Sequence, residues 1–141
     1  MAVALKLISR QPYSIRKLEE RLLAGGYDAA EIIECLERLL RLKYLNDADF
    51  GARRIELLKQ RLKSRAYVEA DLAAQGLAAE LITELLAQNY PLEDEAGIAR
   101  RLIEKGNNIT KQGQNRSWQK LARAGFSENT IHHCIPELSP P

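Results

Sequence analysis

His132-His133-Cys134 is the only cluster in the chain that gathers metal-ligand atoms, or a nucleophile beside a base. Neighbouring residues on a helix point about 100° apart, so these three cannot close on one ion without ligands from elsewhere. Two adjacent histidines near the C-terminus do not assemble a nucleophile with a positioned base. The sequence has no phosphate loop and no glycine-rich dinucleotide motif. No catalytic residue, metal or cofactor is therefore assigned, and the chain reads as a non-enzyme.

The chemistry that the sequence does offer is electrostatic. The net charge is only +2, but its distribution is blocked. Residues 53–65 carry six basic side chains against one acid, residues 66–99 carry seven acids and no base, and residues 100–123 carry seven basic side chains against Glu104. The candidate contacts for an anionic partner are Arg53, Arg54, Lys59, Arg61, Lys63 and Arg65 in the first basic block. In the second they are Arg100, Arg101, Lys105, Arg116, Lys120 and Arg123. A basic surface of this kind seeks nucleic-acid phosphates or an acidic protein. The competing reading makes each block a solvated helix face. Adjacent arginines on an amphipathic helix cannot both face the core. In Arg53-Arg54 and Arg100-Arg101 at least one side chain must reach the surface or an ion pair between repeats. Lys59, Arg61, Lys63 and Arg65 have few acids nearby in sequence and are the stronger candidates for partner contact.

These charges sit on a repeated frame. An apolar residue, three positions, a glycine, another apolar residue and then Ile occur three times: Leu22, Gly26, Tyr27, Ile32; Leu72, Gly76, Leu77, Ile82; Leu121, Gly125, Phe126, Ile131. Leu at i and Gly at i+4 describe the last turn of a helix and its left-handed terminator. The Ile and the residue four later share one face of the next helix. A second echo places a helix before each of the last two pairs. Leu45-Asn46-Asp47-Ala48-Asp49-Phe50-Gly51 resembles Leu92-Glu93-Asp94-Glu95-Ala96-Gly97, with acids at the start where the helix dipole favours them. Residues 2–10 take that place in the first unit. The fold class that follows is all-α, with three tandem three-helix repeats in an elongated, curved array. The units span 1–44, 45–91 and 92–141.

Finer positions follow from caps and stripes. Ser14 caps a helix carrying Ile15, Leu18 and Leu22. Asp28 and Glu31 have capping-box spacing. The next helix carries Ile32, Ile33, Leu36, Leu39 and Leu40, with Glu34–Arg38 and Glu37–Arg41 at ion-pair spacing outside. Gly51, Ile55, Leu58 and Leu62 line a helix reaching about Lys63, and the middle helix of that unit begins at Tyr67 or Val68. Residues 106–115 have the composition of an exposed loop. Trp118 packs between repeats or anchors a partner. Tyr44 and Tyr90 are expected in packing between helices. Cys35 and Cys134 make no motif and are expected as free thiols, Cys35 near the core.

The length suits one ordinary domain or three small modules sharing interfaces. No apolar run approaches the roughly 18 residues of a membrane span, and residues 1–10 lack a signal-peptide pattern, so a cytoplasmic protein is expected.

Tyr44-Leu45-Asn46-Asp47-Ala48-Asp49-Phe50-Gly51 resembles the Tyr-Leu-Asp/Asn-Asp-x-x-Phe-Ala signature of the RecX family, bacterial regulators of the recombinase RecA. Ser14 with Leu18, Leu22 and Gly26-Tyr27 is similar to that family's first repeat. Lys120-Leu121-Ala122-Arg123-Ala124-Gly125-Phe126-Ser127 with Ile131 is similar to its last. The match covers residues 4–135. The second repeat lacks the family's usual glycine near the start of its middle helix, where residues 61–67 read Arg-Leu-Lys-Ser-Arg-Ala-Tyr. Only Arg123 remains of the two basic residues that often precede the last Gly-Phe. The resemblance implies a protein that binds the groove of the RecA–DNA filament and reduces ATP hydrolysis and strand exchange. It would thereby modulate recombination and the SOS response. The implied partners are the RecA nucleoprotein filament and single- or double-stranded DNA, with no membrane, no cofactor and a monomeric state. Two other classes compete: a helical DNA-binding module, and a scaffold for another acidic protein. Residues 78–89 carry Glu80 and Glu84 and no base, which argues against a recognition helix there.

Overall fold

A computed structural model describes residues 1–104 and 118–134, the last three for their backbone alone. The described residues form helices and no strand. In chain order these are α1 (Ala2–Arg10), α2 (Ile15–Ala24), α3 (Ala29–Arg41), α4 (Asp47–Gln60), α5 (Arg65–Ala74), α6 (Ala79–Asn89) and α7 (Leu92–Glu104). Residues 118–123 form α8, and α9 is Glu128–Cys134. The chain is an all-α tandem array of three helix triplets. The loop expected over residues 106–115 lies outside the described residues, as do Lys105 and Arg116.

The glycine of each copy of the frame closes the middle helix as its spacing predicts. Gly26, Gly76 and Gly125 have φ of 87°, 89° and 91°. The residue after each glycine donates its N–H back to the carbonyl of the frame's leucine: Tyr27 to Leu22, Leu77 to Leu72, Phe126 to Leu121. The glycine N–H bonds the carbonyl three residues back. This is a Schellman closure, and it brings the two apolar residues of the frame together. Leu77 and Phe126 are buried beneath the turn, but Tyr27 is exposed.

Helix starts follow the caps with corrections. Ser14 accepts from Lys17 N at 3.2 Å, and Asn46 accepts from Ala48 N and Asp49 N. Asp28 occupies the N-cap of α3 but makes no side-chain capping bond, so the expected capping box does not form. α4 ends at Gln60, short of Lys63, because Leu62 turns left-handed at φ 60°. α5 begins at Arg65 rather than at 67 or 68, because Ser64 caps it by accepting from Tyr67 N at 3.1 Å.

Two apolar cores result. One joins Leu18, Leu22, Ile32, Leu36, Leu39 and Leu45 within the first triplet. The other runs through the second and third triplets without a break, from Phe50 and Ile55 to Trp118, Leu121 and Ile131. Gly51 lies against α6, where an added Cβ would collide with Leu85. Ile33 and Leu40 leave the expected inward stripe of α3 and are exposed. The spaced charges Glu34–Arg38 and Glu37–Arg41 do not close ion pairs, whereas Arg16–Glu20 on α2 does, at 3.3 Å.

Candidate interaction surface

Neighbouring triplets are joined by the same clasp twice. Ser14 is fully buried and donates its hydroxyl to the carbonyl of Gln75, the residue before Gly76. Ser64 is also fully buried and donates to the carbonyl of Ala124, the residue before Gly125, at 2.8 Å. The first backbone N–H of each capped helix meets a carboxylate of the next triplet. Ile15 N–H donates to Asp47 Oδ1 at 2.9 Å, and Arg65 N–H to Glu95 Oε2 at 3.1 Å. Glu95 is buried, and its other oxygen accepts from the Thr130 hydroxyl at 2.8 Å. A helix N-terminus has spare N–H donors and a helix C-terminus has spare carbonyls; across each junction a carboxylate accepts from the former and a serine hydroxyl donates to the latter. The clasp also explains the close approach at the glycines. A Cβ on Gly76 would overlap Arg16 Cδ and come 2.6 Å from Arg16 Cβ, and one on Gly125 would come 2.9 Å from Ser64 Oγ. At Gly26, which no Ser-capped helix of another described triplet approaches, a Cβ would meet nothing within 4 Å.

Several candidate cations do structural work within or between triplets. Arg54 is a two-pronged partner of Asp71, with Nε–Oδ2 at 2.7 Å and Nη2–Oδ1 at 2.9 Å. This hydrogen bond, and after it the adjacent charge, raises the Arg54 pKa above its ordinary value. Asp71 belongs to α5, so the bridge lies within one triplet and not between repeats. Lys59 Nζ donates to the carbonyl of Asn89 and to Asp94, and lies 5.4 Å from the centroid of Tyr90. Arg65 Nε donates to the carbonyl of Tyr90 at 2.7 Å. Tyr90 is fully buried and donates its hydroxyl to the Lys63 carbonyl. Burial, with the negative charge of Glu95 as the next cause, pushes its phenol pKa well above the ordinary tyrosine value. Lys63 Nζ lies 4.7 Å over the Tyr67 ring. Lys59, Arg61, Lys63 and Arg65, the stronger candidates for partner contact in the sequence, thus have different surroundings. Lys59 and Arg65 brace the second junction, Lys63 is held at an aromatic face, and Arg61 is exposed.

Arg53, Arg61, Arg100, Arg101, Lys120 and Arg123 are exposed and come from all the helices α4, α7 and α8 or their ends. Trp118 is buried in the shared core of the last two triplets, which supports its packing reading. Tyr90 packs as expected, but Tyr44 is 56% exposed. Ser64 was missed by sequence reasoning, although Ser14 and Ser64 stand at the same distance before Gly26 and Gly76. Cys35 is a half-buried free thiol.

The model of the first three-helix domain of RecX matches residues 1–39. A regulatory protein RecX of Pelodictyon phaeoclathratiforme is 34% identical over 106 residues, covering 74% of this chain and 64% of that protein. One from Caldanaerobacter subterraneus subsp. tengcongensis is 28% identical over 120 residues, covering 85% of this chain and 58% of that protein. The chain belongs to the RecX family. The crystal structure of RecX from Lactobacillus salivarius shares the fold at a TM-score of 0.84 and 22% identity, over 97% of this chain and 92% of that one. The chain spans between about half and two thirds of the length of the curated RecX relatives it matches. Among the described residues, no helix of this RecX-family chain is long and apolar enough to cross a membrane.

Proposed function

We propose that this RecX-family chain is a non-enzymatic regulator of RecA that binds the groove of the RecA–DNA filament and lowers its ATP hydrolysis and strand exchange. Its setting is recombination and the SOS response in the cytoplasm, and it acts as a monomer whose units span 1–44, 45–91 and 92–141. The observation that carries the reading is the clasp repeated at both junctions. It ties successive triplets into one array, and cations of more than one triplet, Arg53, Arg61, Arg100 and Arg101 among them, are exposed. An array that touches several recombinase protomers combines weak contacts through effective concentration. Its action is steric and electrostatic, and needs no chemistry of its own.

The test is RecA ATP hydrolysis on single-stranded DNA, with this chain added below the recombinase concentration. Strong inhibition at low ratios is expected, with no hydrolysis by the chain alone. Charge reversal at Arg61, Arg100 and Arg101 together weakens the inhibition while circular dichroism stays unchanged, since these side chains are exposed. No inhibition at an equimolar ratio with a cognate recombinase would overturn the reading in favour of a DNA-binding module or a scaffold.

A further inference from the structure

A groove lies between the first two triplets. Its floor is α4. One wall is the α1–α2 link, Gln11 to Tyr13, and the other is the α3–α4 link, with Lys43 and Tyr44. Two clefts of about 380 Å³ each meet along it and share Pro12, Tyr13, Phe50 and Arg53. Three cations line it without an ion pair to any described residue: Arg10, Lys43 and Arg53. None of the three takes part in the bonds of the clasp, and two of them do not belong to the basic blocks of the sequence.

Lys43 carries a backbone signature as well. It sits at φ 62°, a left-handed conformation that costs a side-chain-bearing residue free energy and that glycine takes freely. Lys43 N–H bonds the Leu40 carbonyl and Tyr44 N–H the Leu39 carbonyl, so the pair closes α3 as glycine closes α2. A lysine stands where glycine would fold better. The same turn leaves Tyr44 open to solvent beside the cation.

We infer that this groove seats an acidic polypeptide segment with apolar anchors, contributed by the protein partner. The inference rests on the reading of a filament-directed regulator and names the surface that does the docking. Charge complementarity gives the sign of the ligand. The pattern along α4 separates a peptide from a nucleic-acid strand. Asp49 lines the groove one turn before Arg53, and the part-exposed Leu57 lines it one turn after. A phosphodiester strand carries a charge at every nucleotide and would lay phosphates over the Asp49 carboxylate. A polypeptide can space its acids to meet Arg10, Lys43 and Arg53, and set apolar side chains against Pro12, Phe50 and Leu57.

The experiment measures binding of the chain to RecA–single-stranded-DNA filaments by co-sedimentation, and to a fluorescent oligo-dT by anisotropy. Lys43→Glu with Arg53→Glu is expected to weaken filament binding by about tenfold or more, with oligo-dT binding unchanged. Lys43→Gly is expected to raise the melting temperature while weakening filament binding, a combination that a merely structural lysine would not produce. Tyr44→p-benzoylphenylalanine, irradiated on the filament, is expected to form its adduct with an Asp/Glu-bearing stretch of recombinase polypeptide. If wild type binds the filament and the double variant and Lys43→Gly bind equally well, the groove is not the docking surface. Parallel loss of oligo-dT binding, or an adduct on DNA, overturns the peptide in favour of a nucleic-acid strand. If wild type fails to bind the filament at all, both this inference and the regulator reading fall.

Discussion

Ser14 and Ser64 each perform two tasks with one hydroxyl, accepting a capping N–H from their own helix and donating to a carbonyl of the next triplet. Replacing either with Ala removes both bonds and leaves a part-buried carbonyl poorly satisfied. Each substitution should cost about 1–3 kcal/mol by denaturant unfolding. The glycines allow a sharper comparison. Gly26 and Gly76 have the same φ, but only Gly76 faces a packed neighbour. Gly26→Ala should cost about 1 kcal/mol, the left-handed penalty alone. Gly76→Ala should cost visibly more, since Arg16 Cβ is fixed to α2 and cannot swing aside as a side-chain end could. Equal costs would mean that the junction relaxes freely. Tyr90 provides a pH test. Its folded-state pKa lies above its unfolded value of about 10, so the native state holds the phenolic proton longer than the unfolded chain does. The resulting stability is complete below about pH 10 and is lost as pH rises toward the folded pKa. Thermal unfolding followed from pH 8 to 11 should show a steeper alkaline decline in wild type than in Tyr90→Phe. The Phe variant should also be less stable at pH 8, because the Lys63 carbonyl loses its donor.

At the level of elements, the Arg54–Asp71 bridge ties α4 to α5 and is largely shielded from solvent. A double-mutant cycle with Arg54→Ala and Asp71→Ala should give a coupling of about 1–3 kcal/mol. A coupling near zero would return Arg54 to the pool of free cations. This pair also shows where sequence reading stops. The periodic apolar stripes and the three glycines made the helices, their order and the tandem arrangement legible, because each is a local signal that repeats. Ser14 was legible as a cap for the same reason. Its bond to Gln75 was not, since the partner lies in another triplet and no spacing encodes it. The fates of the basic residues were equally hidden. Arg53 and Arg54 are neighbours in sequence, yet one is exposed and the other is locked to Asp71. A rotation of about 100° along the helix decides this, and only the position of α5 says which side it falls on. Lys43 and Leu62 ended their helices with left-handed turns that their residue types do not announce.

At the level of the molecule, the two junctions share a clasp but not a core. The second and third triplets merge their apolar residues into one cluster, whereas the first keeps its own. Burial is the dominant favourable contribution, and a junction without a continuous core depends more heavily on its few polar bonds. In a tandem array, stability divides into terms for the units and terms for their interfaces. The first triplet should therefore open before the others. Amide hydrogen exchange under native conditions should show α2 and α3 exchanging through a lower free-energy opening than α5, α6 and α7, which should open together. Ser14→Ala should lower the first value and leave the second unchanged, while Ser64→Ala should lower the barrier to separating the last two triplets. A single opening energy across all described helices would mean that the polar clasp couples the first triplet as strongly as a shared core does. The distinction reaches function through the groove that carries Arg10, Lys43 and Arg53. Two of those cations belong to the first triplet and one to the second. Motion at the first junction changes their separation, so a partner that binds all three should slow exchange in α2 and α3 more than in α5 and α6.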